Sequence, residues 1–470
     1  MFETGVRQLR MALSILRGAP ISPANLERLI GDARATLREF GAPGSDVEEL
    51  VDGPFADPDL RRHLQDTSLR RTVKRAAHVS PYYREVLAAR GIDTSAVTTQ
   101  TIENLPLTRK SDVLSRTADF IAEGSQPFLS TRSTGTTGQP VTIWMSRYEA
   151  EVWPALAALA GLLRGEIVEG DSMQVNVSSR ATAAVQQNVS VCRLAGATCH
   201  VLGLIPARES VRNLIGPFPP TLLTTYPSYL AEMVEAARRM GLGPGDFGLR
   251  RIDCGGELLS THLTAAARQT FGAPVTDSFA MTEVLPVSGR TCSHGHLHHD
   301  LNTGFVEVVD PATGLGVAPG ELGSVTITPY YPYRECMPLL RYETRDMVRR
   351  LAQDDLTCEL AGMPATSAIL GKADHFAAPR GRPVTPREIV EVIDGLTPNP
   401  GPARFGLAQA DGQVILRLPG TTQRGLDDET LRDRLAQAGL AVRVERSARP
   451  SDRKVRADLR EITFTSQEPS

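Results

Sequence analysis

The segment STGTTGQP at residues 133–140 has the composition of a loop that wraps an anion. Glycine lets the backbone turn so that successive N–H groups face a negative charge, and Ser and Thr add hydroxyl donors. The residues that supply these groups are consecutive: Ser133, Thr134, Gly135, Thr136, Thr137 and Gly138. The segment is not a Walker loop, because Gln139 stands where that motif requires Lys. A plain surface loop has a similar composition, so the choice depends on the residues further along the chain.

Acidic residues downstream supply the groups that a bound nucleotide and its metal ion require. Glu257 follows a Gly-Gly turn in CGGELLS. Thr282 and Glu283 stand side by side where DSFAMTEV leaves a predicted strand, and such a pair suits a phosphate contact and a Mg²⁺ ligand. The segment LLRYETRDMV is expected to end a strand at Asp346, which places a carboxylate to hold two ribose hydroxyls. The loop and these acids together predict a nucleotide-binding site.

The overall composition is that of a globular protein with more than one domain. The chain has 470 residues, 41% of them apolar, and a formal charge of −3, which gives no electrostatic case for nucleic acid or an anionic membrane. No apolar run reaches the roughly 18 residues of a membrane span, and the richest, VWPALAALAGLL, is expected to be broken at Pro154. The N-terminus lacks the features of a secretory signal, and six cysteines without a CxxC form no disulfide framework. We therefore expect a cytoplasmic enzyme.

Alternating strand and helix patterns predict an α/β fold for most of the chain. Residues 57–125 have the apolar spacing of helices, with a new helix starting at Pro81. From 130 to 345, strand candidates such as SMQVNVSS and PTLLTTYP alternate with helices such as SYLAEMVEAARRMG, which favours mixed sheets layered with helices. A smaller α+β unit follows, with the helices PREIVEVIDGL and DDETLRDRLAQAG and the strands QVILRLP and LAVRVERS. The expected domains are residues 1–370 and 371–470.

The motifs occur in the order of a known superfamily. The chain resembles the acyl-adenylate-forming ligases, and among them the phenylacetate–CoA ligase-like branch. The resemblance begins at LRRTVKRAAHVSPYYREVLAARGID, includes IENLPLTRKSDV and the loop at 133–140, and covers nearly the full length. FAMTE stands for the usual Y-G-x-T-E, RYETRD for R-Y-x-T-G-D and GKADH for G-R-x-D-D, and PSDRKVRADL is similar to the tail segment that carries a lysine. A large N-terminal adenylate-forming domain and a small mobile C-terminal domain are implied.

The resemblance also implies a reaction in two steps that uses ATP, Mg²⁺ and CoA. A carboxylic acid attacks the α-phosphate of ATP, which gives an acyl-adenylate and pyrophosphate. The small domain then rotates, and a thiol, usually that of CoA, takes the acyl group. Two alternatives stay open: transfer to a carrier-protein thiol or an amine, and a nucleotide-binding protein without catalysis. A homodimer is compatible with the sequence.

Each matching motif position implies a role for its residue. Lys454 would enter the site for adenylation and leave it for thioester formation, which suits a reaction whose charge builds on the α-phosphate only in the first step. The other implied roles are residues 133–138 at the β- and γ-phosphates, Thr282 at the α-phosphate, Glu283 at Mg²⁺, Glu257 and Phe279 at the adenine, Asp346 at the ribose, Lys372 in the same nucleotide site, Asp374 as the hinge, and Arg380 and Gly381 at the thiol channel.

The acid is expected to be aryl or arylacetic by analogy with the family. The segment VNVSSRATAAVQQNVS at 175–190, where the family's pocket is partly lined, is small and polar. Ser178 and Tyr226 are candidate wall residues of this pocket. Its polarity favours a hydroxylated or aminated ring, or a small polar acid.

Four residues depart from the family pattern. Gln139 replaces the loop Lys, which predicts weaker ATP binding because a charge-assisted hydrogen bond is roughly twice as strong as a neutral one. Ala280 and Arg345 each replace a Gly, so the backbone there must accept a side chain. Arg345 is a candidate to supply the charge that Gln139 lacks. Lys372 replaces the usual Arg and lacks its planar fork.

The segment CSHGHLHHD at 292–300 holds four His behind one Cys. Some relatives carry Cys-x5-His followed by Cys-x-Cys around a structural zinc, and Cys292, His298 and Cys358 match the first three positions. Leu360 stands where the fourth ligand would be. Tetrahedral zinc requires four ligands, and the candidates for the last one are His294, His296 and Cys336. The alternative stays open that the histidines form a surface loop and the thiols are buried as small hydrophobic groups.

Overall fold

The computed structural model describes residues 19–41, 57–133, 139–376, 383–396, 405–410, 413–419, 427–447 and 462–466. Some of the predicted site residues lie outside these ranges: Thr134, Gly135, Thr136, Thr137, Gly138, Arg380, Gly381 and Lys454. Their roles therefore stay predictions.

Twelve α-helices lie in the described residues. In chain order they are α1 (Pro23–Phe40), α2 (Pro58–Val79), α3 (Pro81–Ala89), α4 (Lys110–Ser115), α5 (Thr117–Phe120), α6 (Arg147–Leu163), α7 (Thr182–Ala195), α8 (Ala207–Leu214), α9 (Pro227–Arg239), α10 (Thr261–Phe271), α11 (Pro386–Asp394) and α12 (Asp428–Gln437). The first three each begin with a proline preceded by a capping side chain, and the predicted start at Pro81 is confirmed.

Strands follow the expected alternation. They are β1 (Pro127–Arg132), β2 (Thr142–Ser146), β3 (Ser172–Asn176), β4 (Thr198–Val201), β5 (Leu222–Thr225), β6 (Arg251–Gly255), β7 (Val275–Ala280), β8 (Ser288–Thr291), β9 (Leu297–His299), β10 (Gly304–Val309), β11 (Leu322–Pro329), β12 (Tyr342–Arg349), β13 (Ala365–Thr366), β14 (Gly371–Lys372), β15 (Phe405–Ala410), β16 (Gln413–Pro419), β17 (Val442–Ser447) and β18 (Ile462–Ser466). The predicted mixed α/β class is confirmed.

The largest sheet has the strand order β13-β9-β8-β7-β6-β5-β3-β4. The strands from β4 to β7 pair in parallel, whereas β8, β9 and β13 add antiparallel pairs at the other end. Parallel neighbours require crossovers, which the helices between them provide. All these parallel strands therefore present their carboxyl ends along one edge.

A second sheet, β10-β11-β12-β14, corrects one expectation about Asp346. The strand was expected to end at this residue, but β12 continues to Arg349. Its pairing with β11 jumps from Glu343 opposite Thr326 to Met347 opposite Ser324, so β12 carries extra residues in a bulge. A bulge re-aims side chains without ending the strand, which explains how Asp346 lies within β12 and still faces a site.

Two helical expectations are also corrected. The helical pattern of 57–125 is interrupted after α3, because Asp93 accepts hydrogen bonds from the backbone and hydroxyl of Ser95 and so favours a turn. Pro154 does not break α6, which continues through it while packing against α1 and α7. None of the described helices is long and apolar enough to cross a membrane.

A second apolar cluster is built from the chain after residue 383 together with Leu258. Ile389, Val390 and Ile393 of α11 pack with strand residues such as Leu407 and Leu416. The predicted helices α11 and α12 and strands β16 and β17 are confirmed. The strands form a separate sheet of order β17-β16-β15-β18. The domain division at residue 370 remains a prediction.

Arg341 fixes β12 to the surrounding elements. Its side chain is 1% exposed, and its Nε and Nη2 donate to the two Glu307 oxygens at 3.1 and 2.9 Å. Its remaining donors reach the carbonyls of Glu103, Leu105 and Gly314. One buried guanidinium thus joins β10, β12 and the segment before α4.

We predict that Arg341→Met lowers the free energy of unfolding by about 3–5 kcal/mol, because Glu307 and three carbonyls lose a buried partner. Denaturant titration of both proteins measures this change. Arg239→Met is the matched control, since Arg239 pairs with Glu235 on the exposed face of α9 and its loss should cost less than about 0.5 kcal/mol. Equal effects of the two variants would contradict the prediction.

Candidate functional site

Four predicted site residues follow neighbouring parallel strands. Ser178 follows β3, Tyr226 follows β5, Glu257 follows β6 and Glu283 follows β7. The carboxyl ends of parallel strands meet at one edge of the sheet, where open α/β sheets bind ligands. The topology therefore collects residues that the sequence spreads over more than a hundred positions.

The anion loop begins beside Glu283. Ser133 follows β1, its hydroxyl accepts from the Val141 N–H at 2.9 Å, and it acts to lower the pKa of the Glu283 carboxyl. Glu283 is 2% exposed, and its Oε2 atom has no hydrogen-bond partner among the described residues. Burial raises the pKa of Glu283, although Lys372, Ser133 and Lys110 act in the opposite direction. A buried carboxylate oxygen without a partner fits a hard cation such as Mg²⁺.

Asp346 is held by an ion pair across two strands. Lys372 Nζ donates to Asp346 Oδ2 at 2.8 Å and to the Thr344 carbonyl at 3.1 Å. Asp346 and Lys372 are direct partners in the β12–β14 pairing, so the backbone brings both side chains together. The same Lys372 charge acts on Glu283, which places the predicted ribose and metal carboxylates in one electrostatic neighbourhood.

Arg345 connects this neighbourhood to the predicted hinge. Its φ of 62° lies in the left-handed region, where the family usually has glycine. Its guanidinium forms an ion pair with Asp374, which lies in a 3₁₀ turn (Ala373–His375) directly after β14. The charge of Arg345 is therefore paired with Asp374, and the expectation that Arg345 substitutes for the loop lysine gains no support from this contact. Ala280, by contrast, ends β7 without a positive φ.

Lys110 is a residue of the site to which the sequence analysis assigned no role. The Glu283, Lys372 and Asp374 charges all act on Lys110, and burial lowers its pKa. Thr108 positions it, because its N–H donates to the Arg341 carbonyl and its own carbonyl accepts from Glu343 N, both at 3.0 Å. The only sequence signal for Lys110 is its place in the segment IENLPLTRKSDV.

Glu257 and Tyr226 are structural neighbours at the start of α9. The Glu257 carboxylate accepts hydrogen bonds from the backbone N–H and hydroxyl of Ser228, at 2.8 and 2.9 Å. Tyr226 OH accepts from the backbone N–H of Ser178 at 3.3 Å. A Cβ at Gly256, whose φ is 78°, would lie 3.3 Å from the Tyr226 ring. Both candidate wall residues therefore contact each other, and the Gly-Gly turn keeps the backbone close to them.

Phe279 lies on β7 and contacts a histidine. Its ring packs edge-on against His299, with 5.6 Å between ring centroids. Phe279 is half-buried, so part of this residue near the end of β7 stays accessible. This position agrees with a wall of the predicted nucleotide site, but its contact with adenine remains a prediction.

A cluster of two cysteines and two histidines lies at β8, β9 and the segment before β13. The donor atoms of Cys292, His296, His298 and Cys358 all lie within 4.8 Å of one another. His298 Nδ1 is 3.1 Å from the Met363 carbonyl, and its Nε2 is 3.3 Å from Cys358 Sγ. Burial lowers the pKa of His298 to about 4, so this ring is neutral and able to act as a ligand.

One of the three candidates for a fourth ligand lies in this cluster. His296 joins the three predicted residues, and its backbone N–H donates to Cys292 Sγ at 3.3 Å. Cys336 is not a member of the cluster, and its sulfur instead lies 3.8 Å from Ser125 Oγ. His294 belongs to a second, partly exposed group with Cys292 and Glu359.

The site as a whole presents buried carboxylates beside cations at the edge of a parallel sheet. Such an arrangement can hold a polyphosphate through its cations and a divalent metal ion through the Glu283 oxygen. The apolar and polar walls near Tyr226 and Ser178 lie along the same edge. A nucleotide and a second small molecule can therefore meet there.

Similarity to known proteins agrees with this geometry. Residues 68–330, more than half of the chain, match the family described as AMP-binding enzyme. The phenylacetate-coenzyme A ligase of Pseudomonas putida is 25% identical over 353 residues, which cover 72% of this chain and 76% of the relative. That of Escherichia coli is 24% identical over 352 residues, which cover 72% of this chain and 77% of the relative.

Solved structures share the fold. 2-Hydroxyisobutyryl-CoA ligase in the postadenylation state in complex with 2-HIB-AMP has a TM-score of 0.72 and 20% identity, covering 87% of this chain and 90% of that one. The same enzyme with 2-HIB-AMP and CoA in the thioesterification state has a TM-score of 0.61 at 20% identity, covering 87% and 91%. These similarities confirm the predicted α/β fold.

We predict that Glu283→Gln stabilises the protein at neutral and alkaline pH. Burial raises the pKa of Glu283, so the folded state binds this proton more tightly than the unfolded chain and loses stability as the pH rises past that pKa. The variant's free energy of unfolding should exceed that of the wild type by roughly 1 kcal/mol at about pH 8. This difference should shrink as the pH falls towards the ordinary Glu pKa of about 4.3. Denaturant titration at several pH values measures it. Glu429→Gln, exposed on α12, should give no such pH-dependent gain.

Proposed function

Because the chain belongs to the family of AMP-binding enzymes, we propose that it is an AMP-forming acid–thiol ligase. It activates a carboxylic acid with ATP to an acyl-adenylate and transfers the acyl group to a thiol, that of CoA. The observation that carries the proposal is the position of Ser133, Glu283, Lys372 and Asp346 in one electrostatic neighbourhood at the carboxyl edge of the sheet. These residues are the ones that the motif order assigns to triphosphate, metal and ribose.

Mg²⁺ is the metal proposed for Glu283. The buried Oε2 atom fits a hard cation because it has no protein partner among the described residues. When bound, Mg²⁺ neutralises charge on the triphosphate. Ser133 stabilises the charged form of the Glu283 carboxylate, and Thr282 is assigned to the α-phosphate.

Lys110 and Lys372 are proposed to compensate for the neutral Gln139. Gln139 is exposed, whereas Lys110 and Lys372 both lie within the electrostatic reach of Glu283. A cation near a phosphate contributes more than a neutral donor does. Asp346 is assigned to the ribose hydroxyls, and its pairing with Lys372 keeps the carboxylate oriented.

The acid is proposed to be aryl or arylacetic, as the names of the phenylacetate-coenzyme A ligases suggest for those relatives. Tyr226 and Ser178 are proposed to form one wall of the acid pocket. They are hydrogen-bonded to each other, and both are nearly buried. The polar groups along this wall favour a ring that carries a hydroxyl or amino group, or a small polar acid.

Two rival functions differ from this proposal, one in the acceptor of the acyl group and the other in the absence of catalysis. A carrier-protein thiol or an amine would replace CoA without changing the first step. A nucleotide-binding protein without catalysis is the second rival, and the replacement of the loop lysine by Gln139 favours it. Calorimetry would then detect ATP binding without acid-dependent release of pyrophosphate.

We also propose a structural Zn²⁺ at Cys292, His296, His298 and Cys358. Two thiolates and two imidazoles are a usual donor set for tetrahedral zinc. The Met363 carbonyl accepts from Nδ1 of His298, which leaves Nε2 as the ligand atom. The N–H of His296 donates to the Cys292 sulfur, a contact that stabilises a thiolate. The ion would join the β8–β9 hairpin to the segment that contains Cys358.

We predict acid-dependent exchange of pyrophosphate into ATP with a panel of aryl, arylacetic and small polar acids. Lys454→Ala should lower this exchange by about 100-fold or more, because the developing charge on the α-phosphate loses its cation. Lys74→Ala on the exposed side of α2 is the matched control and should exchange normally. Absence of exchange with every acid would contradict the proposed function, and normal exchange by Lys454→Ala would contradict the role of that lysine.

We predict about one zinc ion per purified chain by elemental analysis. Cys358→Ser and His296→Ala should each lose most of the metal and lower the melting temperature, because the site joins separate segments. His63→Ala, an exposed histidine on α2, should retain it. Metal content that is unchanged in His296→Ala would exclude this residue as the fourth ligand.

A further inference from the structure

Helix α11 docks directly onto the N-terminus of α10. Glu391 accepts hydrogen bonds from the backbone N–H of Thr261 at 3.0 and 3.1 Å and from its hydroxyl at 2.7 Å. Asp394 Oδ2 accepts from the Ser260 hydroxyl at 2.6 Å. Ser260 is the N-cap of α10, and Thr261 is its first residue. Two acids of one helix therefore complete the cap of another.

A cation of α11 adds a second contact to the same junction. Arg387 Nη1 donates to the Leu259 carbonyl at 2.8 Å, and its guanidinium lies 3.9 Å from Asp277 on β7. His262 Nδ1 lies 3.5 Å from Glu391. The acids Glu391 and Asp394 of α11 thus lie at the positive N-terminal end of α10, and Arg387 lies beside a carbonyl and a carboxylate.

The packing of α11 assigns it to the chain after the hinge. Its Ile389, Val390 and Ile393 side chains lie in the apolar cluster of β15, β16 and α12. Leu258, just before α10, packs into that cluster from the other side of the junction. A rotation at Asp374 that moves the chain after it as a unit must therefore break the contacts between α11 and α10.

We infer that Glu391 and Asp394 are positioning residues that hold the small domain in one of its two working orientations. The inference rests on the proposed two-step function and on the proposed domain division. Both acids act through the cap of α10, by the contacts of Glu391 with Thr261 and of Asp394 with Ser260. These hydrogen bonds are charge-assisted. When the small domain rotates, they break, and the N–H and hydroxyl donors at the start of α10 lose their protein acceptors.

The held orientation is assigned to the adenylation step. In it, β18 contacts the 3₁₀ turn that contains Asp374, beside the Arg345 ion pair. β18 begins at Ile462, shortly after Lys454, the lysine assigned to adenylation. The docked state therefore brings the end of the small domain to the nucleotide side of the molecule.

The test separates the two half-reactions in Glu391→Ala. Pyrophosphate exchange should fall about tenfold, the size expected when a charge-assisted contact with a helix N-terminus is lost. Thioester formation from supplied acyl-adenylate and CoA should stay unchanged or rise. Glu391→Gln keeps one acceptor without the charge and should give an intermediate loss of exchange. Asp433→Ala, an exposed acid on α12, is the matched control and should leave both steps unchanged.

A readout without catalysis keeps this inference separate from the proposed function. Amide hydrogen exchange in the peptide at 259–264 should be faster in Glu391→Ala than in Asp433→Ala, because the Thr261 N–H loses its acceptor. Equal hydrogen exchange in the two variants, or equal slowing of both half-reactions, would overturn the inference. If the wild-type protein exchanges no pyrophosphate but the hydrogen-exchange difference is present, the docking contact stands and the proposed function fails.

Discussion

The buried ion pair between Arg341 and Glu307 is the constraint on which the site depends. It fixes β12 to β10 and to the segment that leads into α4, so Asp346 on one side and Lys110 on the other keep their places. Thr108 extends the same connection by pairing with the backbone of β12. Elements that are far apart in sequence are thereby held together, and their charged side chains lie close to one another in the candidate site.

This framework buries carboxylates, and burial disfavours their charged form. Burial raises the pKa of both Glu283 and Glu307, and neighbouring cations only partly offset that effect. Glu307 has its partner within the protein, whereas one Glu283 oxygen has none among the described residues. A buried charged group without a partner lowers the stability of the free protein. Such groups are typical of binding sites, since a bound ligand supplies the missing interaction.

Much of the fold followed from local patterns, but the contacts across the fold did not. Helix α9 and strand β5 were predictable because their apolar periodicity is strong and proline or glycine marks their ends. The place of Asp346 within β12 was missed because a bulge depends on the partner strand. Lys110 and His296 were unassigned or ambiguous for a similar reason, since backbone pairing and a hairpin decide which of several similar side chains reaches the site.

The left-handed Arg345 places a side chain beside the predicted hinge, at a position where the family pattern has glycine. Its ion pair with Asp374 is partly exposed, with 36% and 52% of the two side chains accessible, whereas Lys372 and Asp346 are 22% and 12% accessible. Dissolved ions screen exposed charges far more than sheltered ones. Dissolved ions therefore weaken the Arg345–Asp374 ion pair more than the Lys372–Asp346 ion pair, so salt acts selectively at the predicted hinge and leaves the predicted ribose carboxylate paired.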